Sequence, residues 1–358
     1  MASIDAVCIR SCARQVKIVC AHVCVCLLVL VLCLSFFAFP VGMADARAVS
    51  AELVLEVESG RVLHAQQAYS CLPMASTTKI LTAITVLEHI DPLTVVTVSK
   101  KAVGTEGSSI YLREGERWKV EDLLYGLMLR SGNDAAVQLA LSVGGSIEEF
   151  ARMMNHTAVR AGATKSNFVN PHGLHDGAHY TTAYDLALIT AYALRNPIFR
   201  RIVGCKVHRY QHPSGEQRSF ENKNKMLRGF AGADGVKTGY TQAAGRCLVT
   251  SATRDGMQLV CVVLNVHAMW QRSATLLDGA FRDYRMVTIW QPDEVKYTTF
   301  RAKTLPVRCN KLLRYPLQQE ELGKISLQYS WEGRTDPRGE VTVALGDRVL
   351  FHEPISVW

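Results

Sequence analysis

The chain has 358 residues, 48% of them hydrophobic and 20% charged, which is the make-up of a folded protein with room for one large domain and a small one. These proportions exclude a disordered chain, and no repeat period appears. The formal net charge is +8, and it is +6 once residues 1–48 are set aside; this mild excess suits an anionic substrate or surface. No basic run with interleaved aromatics appears, so nucleic acid is not an expected partner.

At the N-terminus, Arg10, Arg14 and Lys17 precede an apolar run from Ile18 to Val41, and the small residues Gly42, Ala44, Ala46 and Ala48 follow. This is the order of a secretory signal, with Ala44-Asp45-Ala46 or Ala46-Arg47-Ala48 as the cleavage site. The apolar run is longer than a usual signal core, so a single membrane-spanning anchor is the competing reading. Both readings export the protein. Cys24 and Cys33 lack the small preceding residue of a lipidated cysteine. Six of the eleven cysteines fall in this leader; the other five (Cys71, Cys205, Cys247, Cys261 and Cys309) form no Cys-x-x-Cys pair and imply neither a disulfide framework nor a zinc site.

Along the remaining chain, Glu52 to Ala65 reads as a hairpin turning at Glu58-Ser59-Gly60-Arg61. From Ser76, apolar Ile80, Leu81, Ile84 and Leu87 recur at helical spacing, which places Ser76 at a helix start. A second helical pattern, Val120 to Leu129, breaks at Arg130-Ser131-Gly132-Asn133 and resumes at Asp134. Ser146-x-x-Glu149 is a capping box for a helix to about Arg160, and Thr182 or a neighbour caps another running to Asn196-Pro197. Cys247–Thr253 and Met257–Val266 are strand-like and meet at the tight turn Arg254-Asp255-Gly256. An apolar helix near Ser273–Phe281 covers them. From Tyr297 the pattern becomes short alternating stretches, Lys324–Trp331 and Glu340–Phe351, parted by residues 334–339. The order predicts an α/β (α+β) sandwich, an antiparallel sheet closed by terminal segments with flanking helices, and then a small all-β module.

Three short motifs carry the chemistry. Ser76 and Lys79 share one helix face, and a lysine with a destabilised ammonium can take the proton that makes serine nucleophilic. The helix start also favours developing negative charge. Alone, the pair equally reads as a capped helix with a solvated lysine. Ser131 and Asn133 lie at a break between helices, where a loop can offer a hydroxyl and an amide, although a capping turn gives the same residues. Lys237-Thr238-Gly239 places a cation and a hydroxyl before a glycine whose missing side chain lets a substrate backbone lie along a strand edge.

Together, Ser76-Thr77-Thr78-Lys79, Ser131-Gly132-Asn133 and Lys237-Thr238-Gly239, in that order, form the triplet of penicillin-binding proteins and class A β-lactamases. With Pro73–Thr82, Arg130–Ala136, Asn170-Pro171-His172-Gly173-Leu174, Asp234–Thr241 and Ala244-Gly245, residues 51–281 resemble the serine D-alanyl-D-alanine carboxypeptidases, the low-molecular-mass penicillin-binding proteins. The following β module is similar to their C-terminal domain more loosely. The leader pattern places a signal peptide or N-terminal membrane segment in 1–48, and the resemblance implies a catalytic domain over 49–290 with a helical subdomain and a β-rich domain over 297–358. It implies Ser76 as acyl-forming nucleophile and Lys79 as its base. Ser131 and Asn133 complete the proton network, while Lys237, Thr238 and Gly239 bind substrate. The backbone N–H groups of Ser76 and Tyr240 form the oxyanion hole, and Arg272 faces the substrate's terminal carboxylate.

The expected reaction removes the last D-alanine from peptidoglycan stem peptides ending in D-Ala-D-Ala, with β-lactams as covalent inhibitors and no cofactor. Its setting is extracytoplasmic, with membrane attachment through the N-terminal segment as an option. His172, His175, Asp176 and His179 cluster, but Gly173 and Gly177 make their segment a turn-rich loop, so no metal is expected. A DD-endopeptidase acting on cross-links and a catalytically silent wall-binding protein remain alternatives. A class A β-lactamase is disfavoured, because no Glu-x-x-Leu-Asn element lies between the second and third motifs.

Overall fold

In the computed structural model, residues 49–332 and 338–357 are described; the leader, with its signal or anchor reading, and most of the turn over 334–339 lie outside them. Val49–Trp358 belong to one compact unit. Among the described residues no helix is long and apolar enough to cross a membrane.

The chain opens with the expected hairpin, β1 (Ala51–Glu56) and β2 (Val62–Gln66). A single 3-10 turn, Ala75–Thr78, runs into helix α1 (Lys79–His89). After the ribbon β3 (Val95–Thr97) and β4 (Arg117–Lys119), α2 (Val120–Tyr125) widens into a π-type turn over Gly126–Arg130. Then come α3 (Asn133–Gly144), α4 (Ile147–Arg160), α5 (Ala183–Leu194) and α6 (Pro197–Gly204). Capping residues start three of these helices: Ser146 Oγ accepts from Glu149 N, Thr182 Oγ1 from Asp185 N, and Asn196 Oδ1 from Ile198 N and Phe199 N. The sequence pattern ends a helix at Asn196-Pro197; the proline instead occupies the first turn of a new one, where its missing N–H costs nothing. Only half of the expected capping box forms, because the Glu149 carboxylate turns to Arg152.

A second ribbon, β5 (Val207–Gln211) and β6 (Gln217–Glu221), leads to β7 (Ala233–Thr241), β8 (Gly245–Arg254) and β9 (Met257–Leu264). Asp255 and Gly256, both with positive φ, make the predicted tight turn. The central sheet has the order β2-β1-β9-β8-β7 and is antiparallel throughout, so the N-terminal hairpin closes a sheet whose other strands come much later in the chain. Strand periodicity sorts β1: Ala51, Leu53 and Leu55 enter the large core shared with α1 to α6, whereas Val54 enters the smaller core beneath α7 (Met269–Asp283). The result is a helix–sheet–helix sandwich with β2 and β7 as its edge strands.

Beyond it, β10 (Arg285–Trp290) pairs β13 (Leu313–Leu317), while β11 (Lys296–Phe300), β12 (Lys303–Arg308), β14 (Ile325–Glu332), β15 (Arg338–Leu345) and β16 (Arg348–Val357) form a second sheet. The stretch Glu340–Phe351, expected as one alternating run, is two strands parted at Gly346, whose φ of +57° makes the turn. Trp290, Val307, Leu313, Val341 and Val343 form its separate apolar core. Arg61 fastens this part to the β1–β2 hairpin: its guanidinium donates to Pro316 O at 2.6 Å and to both Glu321 carboxylate oxygens, and lies 5.0 and 5.2 Å from the ring centres of Tyr284 and Tyr315. Removing one partner of such a largely buried pair typically costs about 3 kcal/mol. Arg61→Ala should therefore lower the unfolding free energy by about that amount, measured by urea denaturation.

Candidate active site

Ser76 lies in the 3-10 turn ahead of α1, and its partly exposed side chain faces the first residue of that helix, Lys79. Lys79 Nζ stands 3.0 Å from Ser76 Oγ, 2.7 Å from Asn133 Oδ1 and 2.7 Å from the carbonyl oxygen of His172. Lysine offers three donors and all three have an acceptor. The side chain is nevertheless fully buried, and these three partners include no carboxylate. Burial pushes its pKa well below the ordinary lysine value, and the charges of Lys237 and Lys223 add to this against a smaller opposing pull from Asp134. A lysine in this state can release and accept a proton, as a general base for serine must.

The second motif reaches Lys79 because the helical run breaks where the sequence pattern places the break. The widened turn Gly126–Arg130 ends at Ser131, whose φ of +66° is left-handed, and α3 starts at Asn133. The Asn133 side-chain amide donates to Glu106 O, and its backbone N–H donates to Ser108 O at 2.7 Å. Both bonds tie the 106–112 loop to the start of α3. Asp134, one residue on, gathers the same loop: its buried carboxylate accepts from Ser109 Oγ at 2.6 Å, from Ile110 N and Leu112 N at 3.0 Å, and from Ala135 N at 2.9 Å. The sequence pattern does not single out Asp134.

The third motif arrives on β7. Lys237 is buried, with Nζ 2.9 Å from Thr238 O, and burial with the nearby charge of Lys223 brings its pKa down to about 7. Thr238 is half-buried, and Tyr240 points out at 68% exposure. Gly239 also has a packing reason. A side chain there would come within 3.0 Å of Met74 O and Ser76 N and 3.1 Å of Thr77 N, so the glycine lets β7 press against the serine turn. The free edge of β7 still runs beside Ser76 and is able to accept an extended peptide as a further strand.

Arg272 does not join this site. It lies on α7, and its guanidinium holds the Glu52 carboxylate through bonds of 2.8 and 2.6 Å. Glu52 is on β1, with β9 and β8 between it and β7. The expectation that Arg272 faces a substrate carboxylate is therefore corrected. A buried acid three strands away from β7 holds it.

The histidine loop serves the site from below. Lys79 is held by the carbonyl of His172, and Thr82 Oγ1 donates to Pro171 O at 2.7 Å. Gly173, at φ +86°, sits so close to Ala75 that an added side chain would come within 1.9 Å of the Ala75 carbonyl oxygen. The His179 ring accepts from Val169 N at Nδ1 and contacts Thr78 Oγ1 at 2.8 Å through Nε2. Among the described residues, no three His, Cys, Asp or Glu side chains converge as a metal-ligand group. A cavity of about 490 Å³ lined by Arg254, Met257, Phe281 and Met286, among others, lies at the far end of the sheet and contains none of the motif residues.

A profile of the D-alanyl-D-alanine carboxypeptidase family matches residues 40–268. DacF of Bacillus subtilis, a D-alanyl-D-alanine carboxypeptidase, is 32% identical over 250 residues, covering 68% of this chain and 64% of that one. DacC of Escherichia coli, named likewise, is 35% identical over 264 residues, covering 70% and 64%. The chain thus spans somewhat under two thirds of these relatives. The crystal structure of the D-alanyl-D-alanine carboxypeptidase DacD from Francisella tularensis superposes with a TM-score of 0.70 at 25% identity, over 86% of this chain and 92% of that one.

Burial holds the His172 pKa down to about 3 and that of His179 to about 4, with the Lys79 charge contributing to both. Both rings are neutral in the folded protein, whereas in the unfolded chain they take up protons below about 6.5. Their contribution to stability is complete above that pH and is lost as pH falls, at up to about 2.7 kcal/mol per pH unit near pH 5 for the two together. Urea midpoints measured from pH 7 to 4 should show this loss, and His172→Asn should reduce its slope.

Proposed function

Because the chain belongs to the D-alanyl-D-alanine carboxypeptidase family, we propose that it is an exported serine hydrolase that removes the terminal D-alanine from peptidoglycan stem peptides through an acyl-enzyme on Ser76. The observation that carries this reading is the buried Lys79 amine placed 3.0 Å from Ser76 Oγ, with its pKa lowered well below the ordinary lysine value. Lys79 in its neutral form takes the Ser76 proton as the hydroxyl oxygen attacks the carbonyl carbon of the last peptide bond. The backbone N–H groups of Ser76 and Tyr240 stabilise the oxyanion. Asn133 holds the lysine in place, and Ser131 passes the proton to the departing amine of D-alanine. Water then attacks the ester, and Lys79 again serves as base.

On this reading the stem peptide lies along β7, with Lys237 and Thr238 at its terminal carboxylate. The mild positive charge of the chain and the Lys223–Lys237 pair beside the site suit such an anion. A β-lactam enters the same way, and its ring-opened ester on Ser76 keeps the amine tethered. The leader pattern over residues 1–48 supports an extracytoplasmic setting. No specific observation favours a cross-link endopeptidase over a carboxypeptidase.

A fluorescent penicillin tests the acylation. Wild-type protein should label stably, Ser76→Ala should not label, and Lys79→Arg, which keeps the charge but loses the base, should acylate at least about a thousandfold more slowly while remaining folded. Wild-type labelling rates in Lys79→Arg would remove the role given to this lysine. Mass spectrometry of the products from a defined pentapeptide and from a cross-linked dimer should show release of free D-alanine from the first in preference to cleavage of the second.

A further inference from the structure

The residue that presents Ser76 to its partners is Ala75, a non-glycine residue held at φ +49°. Left-handed backbone at such a position costs about 1 kcal/mol or more and persists only where its surroundings fix it. The Ala75 carbonyl accepts from Thr78 Oγ1 at 2.8 Å, and Thr78 Oγ1 lies 2.8 Å from His179 Nε2. His179 Nδ1 accepts the Val169 backbone N–H at 3.1 Å. Since a backbone N–H can only donate, Nδ1 carries no proton and Nε2–H is the donor. The Thr78 hydroxyl then accepts from Nε2–H and directs its own hydrogen to the Ala75 carbonyl, which can only accept. Every proton in the chain from Val169 through His179 and Thr78 to Ala75 is thus fixed by a backbone group at each end. Thr78 is fully buried, His179 is 3% exposed, and Gly173 covers the Ala75 carbonyl. Phe168 meets the His179 ring edge-on at 5.6 Å and fixes its plane.

From this chain of bonds we infer that His179 is a positioning residue for acylation, acting through the Thr78 hydroxyl to hold the strained turn that aims Ser76 Oγ. The inference rests on the acyl-enzyme reading above. It gives His179 work unrelated to substrate contact, so its loss should slow the chemical step and leave recognition intact; a displacement of about 1 Å in a reacting group can cost a hundredfold in rate.

The test is stopped-flow acylation by a fluorescent penicillin at a temperature well below unfolding, resolving the initial binding constant from the acylation rate constant. His179→Leu and Thr78→Val should each lower the rate constant roughly 10- to 100-fold and change initial binding by no more than about twofold. Thr78→Ser, which keeps the hydroxyl, should restore most of the rate. The double variant His179→Leu/Thr78→Val should lose no more than the worse single one, because both break one chain. Near-wild-type rate constants in folded His179→Leu and Thr78→Val, or losses that multiply in the double variant, would overturn the inference. Should His179→Leu fail to fold, Thr78→Val decides alone, as it retains the β-branched shape. A wild-type protein that never acylates would instead refute the proposed function.

Discussion

The organising constraint is the burial of one amine. Lys79 sits inside the protein with no carboxylate among its three hydrogen-bond acceptors, in a setting where an ammonium is expensive and a neutral amine is tolerable. The three groups it touches come from three separate segments: the serine turn, the start of α3 and the histidine loop. Each of these segments is in turn held by its neighbours, the first by Gly239 and Gly173, the second by Asp134 and the third by Asn170, whose Oδ1 accepts from Gly173 N at 2.7 Å. The large core of the sandwich is the support that brings these loops together and keeps water away from the amine.

Much of this is legible in the sequence, and for identifiable reasons. Local signals carry their own meaning: Ser146 and Thr182 cap the helices they precede, and Asp255-Gly256 turns the β8–β9 hairpin. The Ser76, Lys79, Asn133 and Lys237 group is legible because its three motifs are short and their order is specific. Other features are hidden where the deciding partner is remote. Arg272 looks available in sequence, and only the fold reveals Glu52, 220 residues away, as its partner. Pro197 reads as a stop because the same residue that ends one helix can begin the next. The β5–β6 ribbon is hard to read in the sequence because most of its residues are polar or exposed, and Tyr210 and Phe220 are its buried ones.

The glycines show the same limit. A glycine before a turn suggests conformational freedom or room for a ligand, and Gly239 reads that way in isolation. Its neighbours in the fold are backbone atoms of the serine turn, which no local pattern encodes. The histidine loop likewise stands out for its ligand-like residue types, whereas its rings hold backbone and a threonine hydroxyl.

Gly173 and Gly239 reach the turn over Met74–Thr77 from two different parts of the chain, with no side chain between either of them and its backbone. Such a turn is gripped by main chain on two sides, and main chain yields less readily than a rotamer. Ser76 is therefore a stationary element, and any adjustment on binding falls to the incoming molecule. A flexible ligand can make that adjustment by rotating about its own bonds, and a rigid one cannot.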